Sequence, residues 1–506
     1  MTKFPTSWAK YKIGELSEVN PPKPPKGILH NETLVTFLPM VSIDANLGQI
    51  TKSERKEFSA CLKGFTSFSN GDVIMAKITP CMENGKAAPI TDLPYGLGFG
   101  STEFHVLRPS RAIQQNYLFY FIRQVHFRKE AEHQMRGAVG QKRVPPEFIK
   151  EYEIPLPPLP EQHRIVAKIE ELFSDLDAGI ESLRKAKEQL KIYRQSVLKW
   201  AFEGKLTEEW RKKNKPEPAS ELLKRIKTER EKKYKEECEK AKKEGSKKPF
   251  RPEYYPKFNE KDTAFLKRLP SEWLWEKAGN LFDSIVPNRD KPKTFTGNIP
   301  WITIPNLREN GCSIDYSTVN AGLSINETEL YNARIIPKES VVMTCIGHFG
   351  IAAVAEKPLV INQQLHAFIV ENNFIPSYLA YALKSQKLYF DKVATSTTIA
   401  YVNKTNCNSV PIPLCSLDEQ SLIVSEIESR LSLSDNLEKT IDTSLTQAAA
   451  LRQSILKRAF EGKLVPQNPN DEPAEKLLEK IKSSTADLHR LMDDADLKKK
   501  KRKRNG

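Results

Sequence analysis

Several clusters in this 506-residue sequence carry residue types that do chemistry elsewhere. In YGLGFGSTEF (95–104), Gly96, Gly98 and Gly100 make a G-x-G-x-G of the kind that lets a backbone approach S-adenosylmethionine. Such a loop has to follow a strand and open a helix. The residues that follow, STEFHVLRP, alternate as a strand does, so the spacing predicts no cofactor loop. Asn20-Pro21-Pro22 begins like the N-P-P-aromatic motif that grips a flipped base, but Lys23 stands where the stacking ring is needed. PPKPPKG reads instead as a polyproline stretch. Asp44 with Glu54-x-Lys56 imitates a metal-dependent nuclease core, a spacing that arises easily in a chain 28% charged. EGKL lacks both the first glycine and the hydroxyl of a phosphate-binding loop. His105 and His366, each on an expected strand, read as structural. The residues present point to binding rather than to catalysis.

The bulk properties agree. Lys plus Arg outnumber Asp plus Glu by 79 to 64, a net charge of +15, which favours a polyanionic partner. Hydrophobic residues at 39% and a length of 506 fit two to four globular domains. Seven scattered cysteines with no CxxC pair suggest free thiols in a reducing cytosol rather than a disulfide framework or a zinc site. No apolar h-region opens the sequence and no run is long enough to span a bilayer, so neither a signal peptide nor a membrane helix is expected.

The elements that must position any binding residues emerge from a repeat. AFEGKL occurs at 201–206 and again at 459–464, an offset of 258. At that offset the stretch from Glu161 aligns with the stretch from Glu419 without gaps, as two continuous helices require. In the first, Ile165, Ile169, Phe173, Leu176, Ile180, Leu183, Leu190 and Val197 recur mostly in threes and fours. In the second, Ile423, Ile427, Leu431, Leu437, Ile441, Leu445, Leu451 and Ile455 do the same, and each stripe predicts a helix seamed against another. Pro160 suits a first turn, and Ser416 with Glu419 suggests a capping box. Gly204 and Gly462 are placed as C-terminal caps that need positive φ. Each helix is expected to run about 40 residues, or about 60 Å.

Upstream, FPTSW (4–8) matches LPSEW (269–273), FLPMVSI (37–43) matches NIPWITI (298–304), and GDVIMAKI (71–78) matches ESVVMTCI (339–346). STEFHV (101–106) matches NQQLHA (362–367), and NYLFYFI (116–122) matches SYLAYAL (377–383). The offset drifts as loop lengths differ between two copies of one fold. The fold class is therefore α+β: two pseudo-repeated α+β domains separated by two long antiparallel, coiled-coil-like helices, with one helix near 116–130 in the first copy. The boundaries expected are a globular domain over 1–155, a spacer helix over 156–207, and a charged linker over 208–265. A second globular domain over 266–411, a second spacer helix over 412–465 and a terminal segment over 466–506 follow. Within the linker, KTEREKKYKEECEKAKKEG reads as a solvated helix and KKPFRPEYYPKFNEKD as extended chain, while the basic run 498–504 is either a phosphate-touching or a solvated tail. Two related domains on rigid spacers suit two-point recognition of duplex DNA. A coiled-coil scaffold whose domains bind protein or RNA is the alternative.

This layout resembles the specificity subunit of Type I restriction–modification systems over nearly the whole chain. The resemblance is carried by IPLPPLPEQHRIVAKIEELFSDLD (154–177) and RQSVLKWAFEGKL (194–206), repeated as VPIPLCSLDEQSLIVSEIE (410–428, from Val410) and RQSILKRAFEGKLVPQN (452–468). The second copy departs at Cys415 and Asp418. The resemblance implies a non-catalytic, cytoplasmic protein of bacteria or archaea in which each globular domain is a target recognition domain reading half of a bipartite, asymmetric site in double-stranded DNA. It implies docking to two methyltransferase subunits and association with restriction–translocase subunits. S-adenosylmethionine, ATP and Mg²⁺ would then belong to those partners and none to this chain.

Base-reading residues are expected where the two copies differ most. Lys77, Thr79, Asn84 and Lys86 form one polar loop after a strand, and Thr344, His348 and Phe349 form its counterpart. A second loop carries Gln141, Lys142 and Arg143, matched by Tyr401, Asn403 and Lys404. Gln, Asn and Arg can contact bases with two hydrogen bonds, and Lys more often finds phosphate.

Overall fold

The computed structural model describes residues 4–138, 140–246, 248–249, 251–259, 266–287, 291–395, 399–476 and 478–479. The basic run 498–504 lies outside the described residues. The chain packs as two units, one of residues 1–183 and 442–506 (unit 1) and one of residues 184–441 (unit 2). Each long helix contributes one part to each unit.

Unit 1 is built on two four-stranded sheets and a two-stranded ribbon. One sheet has the order Ser17–Val19, Phe104–Pro109, Val73–Ala76, Ala87–Pro89, all antiparallel. The other has the order Glu54–Glu57, Leu34–Leu38, Leu97–Gly100, Thr66–Ser69, with the central pair parallel. Two of the three glycines lie in the strand Leu97–Gly100, where a Cβ at Gly98 would come within 2.4 Å of the Phe68 ring and one at Gly100 within 2.7 Å of Leu38 O, so they serve close packing, while Gly96 takes a positive φ of +65° in the turn before it. The single helix expected near 116–130 is two, Gln115–Ile122 and Val125–His133.

Unit 2 repeats the plan. Asp283–Ile285, Leu365–Ile369, Val341–Thr344 and Ala352–Val354 form its four-stranded sheet, and Ile299–Ile302 pairs in parallel with Val360–Ile361. The registers agree in detail, since Met75 faces His105 across one ladder and Met343 faces His366 across the other. Both histidines are buried, as structural residues should be. His105 Nε2 donates to Val144 O at 2.8 Å and its Nδ1 meets the Asn20 amide at 3.0 Å. Burial pushes the His366 imidazole down to about 3, so it stays neutral.

The spacer helices run Leu159–Phe202 and Leu417–Phe460, 44 residues each. Within unit 2, Lys187 and Arg194 pair with Glu438, and Arg194 also meets Asp435 at 2.6 Å. Within unit 1, Arg452 pairs with Asp177 and Arg164 with Asp471. Partners that rise on one segment as they fall on the other make both pairings antiparallel. The apolar seam is thinner than the stripe implied: Ile165, Ile169, Ile423 and Ile427 are fully buried, but Leu437 and Leu451, expected in it, are 46% and 51% exposed. A helix drifts relative to a strict 3.5-residue repeat, so charged pairs replace part of the seam. The expected capping box is half formed. Glu419 N donates to Ser416 Oγ at 3.4 Å, but the Glu419 carboxylate is engaged elsewhere.

That engagement explains the duplicated AFEGKL. In unit 1, Phe460 packs edge-on against Tyr117 and Phe121, at 4.9 and 5.2 Å. In unit 2, Phe202 packs against Tyr378 at 5.3 Å. The motif at the end of each helix thus docks on the domain that the helix does not follow in sequence. Gly462 and Gly204 have φ of +71° and +73°, and a Cβ there would meet Pro5 Cγ at 2.6 Å and Pro270 Cγ at 2.5 Å. Gly204→Ala and Gly462→Ala should each cost about 1–2 kcal/mol for the left-handed backbone, with about 1–3 kcal/mol more for overpacking. Faster hydrogen exchange at the affected helix end would report it, and unchanged exchange in both variants would contradict this role for the motif.

The charged linker is not simply solvated. Its helix, Ala219–Glu244, buries Leu222, Ile226 and Arg230 on unit 2. Arg230 donates to the carbonyls of Gly279 and Asn280 at 3.0 and 2.8 Å and to Asp283 at 2.6 Å. A pattern dominated by Lys and Glu conceals this face because only one residue per turn is needed to dock it.

Candidate nucleic-acid interface

The strand Val73–Ala76 delivers Lys77 and Thr79 into a loop that turns back through Met82 N to Ile78 O (3.0 Å) and Asn84 N to Pro80 O (3.0 Å). The second candidate loop lies directly against it. Thr79 N donates to Lys142 O at 3.1 Å, and Val144 N donates to Lys77 O at 2.9 Å. The sequence separates these residues by about sixty positions, and backbone pairing makes them one surface.

The side chains divide by what already holds them. Asn84, Gln141 and Lys142 are exposed and make no side-chain hydrogen bond among the described residues. Lys86 Nζ donates to Met40 O at 3.0 Å. Arg143 holds Glu103 through two hydrogen bonds, at 2.9 and 3.0 Å, and this donation keeps the Glu103 carboxyl below its ordinary range. Glu103 was not expected from sequence, where nothing marks it as the partner of a residue forty positions away. The Thr79 hydroxyl is buried without a partner among the described residues, beside a cleft of about 520 Å³ lined also by Glu83, Glu132 and Lys142.

Unit 2 repeats the juxtaposition. Gly347 N donates to Ala400 O and Val402 N to Cys345 O, both at 2.9 Å. Two of the expected readers turn inward. Thr344 is fully buried with its hydroxyl donating to His348 O at 2.6 Å, and Phe349 sits in the core. Both shape the loop from beneath: Thr344 ends a strand buried at every position, and Phe349 turns from the loop itself into the core. His348, Tyr401, Asn403 and Lys404 remain exposed. Asn403 Oδ1 accepts from Asn406 N at 2.8 Å, capping a short helix and leaving its amide NH₂ outward.

The alternative chemistries find no support in geometry. Asn20 is spent on His105 and on Val106 N, which it meets at 3.0 Å. Asp44 Oδ1 accepts from Asn46 N and Leu47 N, and Lys56 lies 3.5 Å over the Phe37 ring. Among the described residues no three metal-ligating side chains converge, and no helix is long and apolar enough to cross a membrane. Gly98 and Gly100 are packed against Phe68 and Leu38, where an added Cβ would come within 2.4 and 2.7 Å.

The comparisons with known proteins agree with this arrangement. The model of the Type I restriction modification DNA specificity domain matches residues 5–191 and again 270–447. The Type I restriction enzyme EcoAI specificity subunit of Escherichia coli is 27% identical over 507 aligned residues, spanning 87% of this chain and 80% of that one. The HsdS subunit from Thermoanaerobacter tengcongensis superposes with a TM-score of 0.60 at 20% identity, over 91% of this chain and 98% of that one. A chain from a structure of complex assembly and conformational transition in the type I R-M system gives 0.63 at 20% identity, over 91% and 99%. With two copies of the family's domain covering most of its length, the chain belongs to the Type I restriction–modification DNA specificity family, whose members are non-catalytic specificity subunits.

Proposed function

We propose that unit 1 and unit 2 each read one half of a bipartite, asymmetric target in duplex DNA, with the spacer helices setting the gap between the halves. The observation that carries this is the loop pair knit edge to edge by backbone hydrogen bonds in both units. The residues presented differ: Asn84, Gln141 and Lys142 in one, His348, Tyr401, Asn403 and Lys404 in the other. Different side chains on equivalent loops call for different bases, which makes the target asymmetric. Arg143 would read guanine only by releasing Glu103. In this reading the chain docks two methyltransferase subunits, restriction–translocase subunits join them, and the assembly works in the cytoplasm. S-adenosylmethionine, ATP and Mg²⁺ would be held by the partners.

Sequencing methylated bases in the host, with the gene intact and deleted, tests it. One bipartite motif should lose methylation on deletion. Gln141→Ala with Lys142→Ala should relax the first half-site alone, and Tyr401→Ala with Asn403→Ala the second alone, each lost base contact costing about 1–3 kcal/mol. A motif that changes in both halves with either pair would contradict one reader per unit.

A further inference from the structure

The segment between the two matched domains has no role in that reading, yet it builds a cleft. After the helix Ala219–Glu244 the chain returns along unit 2, where Tyr255 N donates to Asn280 Oδ1 at 2.6 Å and Tyr255 Oη accepts from Asn408 Nδ2 at 2.9 Å. Between helix and returning chain lies a cavity of about 430 Å³ lined by Arg230, Lys233, Arg251, Arg334 and Lys404. Three acids line it too. Asp283 is already paired with Arg230 at 2.6 Å, Glu253 accepts from the Tyr255 hydroxyl at 3.3 Å, and Glu237 is exposed. Lys233 is paired with Glu371. Arg251, Arg334 and Lys404 form no ion pair among the described residues. Arg230 is 6% exposed, and its Nε is a buried donor without a partner among the described residues.

A cavity with three uncommitted cations, and a buried unmet donor on its wall, is built for an anion. Guanidinium forks match the oxygens of phosphate. Lys404, which lines the cavity, directly follows Asn403 at the start of a short helix, so one wall of the cavity is joined in sequence to the candidate base readers of unit 2. We infer that this cleft holds one backbone phosphate of the half-site that unit 2 reads, with the inserted segment supplying Arg251 as its outer wall. This rests on the reading of unit 2 as a DNA reader. A phosphate held there would fix the register of the loops on the duplex without reading sequence itself.

The test uses the complex assembled with its methyltransferase subunits, as parent and as Arg251→Ala/Arg334→Ala. Binding to the target duplex and to an unrelated duplex is measured from about 50 to 200 mM salt. The double variant should bind both more weakly, keep their affinity ratio, and lower the slope of log K against log salt by about 0.9, the loss of one phosphate contact. Arg251→Lys/Arg334→Lys should restore most of the slope. A parent that shows no preference for the target would fail the DNA reading itself. A parent with full preference and a double variant with unchanged slope would overturn the phosphate site alone. Phosphorus NMR with inorganic pyrophosphate and no DNA separates the other source of the same chemistry. Arginine-dependent pyrophosphate binding with an unchanged DNA slope would assign the cleft to a free phosphate compound and likewise overturn the inference.

Discussion

Seven residues inserted after Leu183 and seven after Ile441 should move methylation to a target with a longer gap and the same two half-sites. The two spacer helices are continuous through these positions. The positions also close the two packing units, so neither unit loses its own contacts to the insertion. A heptad nearly completes two turns and preserves the sparse seam. It adds about 10 Å to each helix, or about three base pairs at about 3.4 Å each. Three base pairs also turn the far groove by about 100° at about 10.5 pairs per turn, so total methylation should fall steeply. Four residues in place of seven should do worse, because they complete little more than one turn and so put the apolar stripe out of register as well as changing the length. Full methylation at the original gap would show that the helices do not measure it.

The largest effect on stability should come from Glu419, and its matched residue Glu161 should behave in the opposite way. Glu419 is fully buried and accepts from Trp273 Nε1 at 2.8 Å, from Thr207 Oγ1 at 2.6 Å and from Arg211. Arg211 is itself 9% exposed, with Glu272 at 3.8 Å as its only other carboxylate among the described residues. Glu419→Gln leaves that charge largely uncompensated and sets an amide NH₂ against donors. A loss of about 3 kcal/mol is expected, the low end for breaking a buried pair, since Glu272 remains. Glu161 accepts from Trp8 Nε1 at 3.0 Å and Gln467 Nε2 at 2.6 Å, both neutral donors on one oxygen. Glutamine keeps both bonds and removes a buried charge, so Glu161→Gln should change stability by less than about 1 kcal/mol or raise it.

Because the chain has two units, hydrogen exchange at amides of each unit is the measurement, not a single melting temperature. Equal losses in the two variants would contradict the asymmetry. A pH dependence follows with a definite sign. Burial raises the Glu161 carboxyl above the ordinary 4.5, so its contribution to unit 1 is complete below that value and is lost as pH rises through the raised folded value. Protection in unit 1 should decline across that window in the parent and stay flatter in Glu161→Gln.

What could be read in the sequence alone was whatever depends on neighbours along the chain. The two helices, their ends and their glycine caps follow from 3.6-residue periodicity and from the positive φ that a helix stop requires. The matching positions of His105 and His366, the strand that follows the glycine run and the two-copy plan follow from alternation and self-similarity. These are local rules, satisfied within a few residues of each position.

The tertiary structure decided what depends on partners far away in sequence. Gly204 packs on Pro270 and Gly462 on Pro5, so each AFEGKL closes on the domain that its helix does not follow in sequence. Arg143 reads as a free base-contacting side chain until Glu103 is placed beside it. Thr344 and Phe349 read as loop residues in sequence, but both are buried in space, Thr344 at the end of a strand and Phe349 on the loop that follows it. Leu437 and Leu451 fit the stripe, yet they stay 46% and 51% exposed among the described residues, and the lysine-rich linker docks because unit 2 offers carbonyls and Asp283 to Arg230. Periodicity names the face of an element that can be buried; whether it is buried depends on an opposing surface supplied by distant residues, because burial and ion pairing are properties of two surfaces and a sequence pattern describes only one.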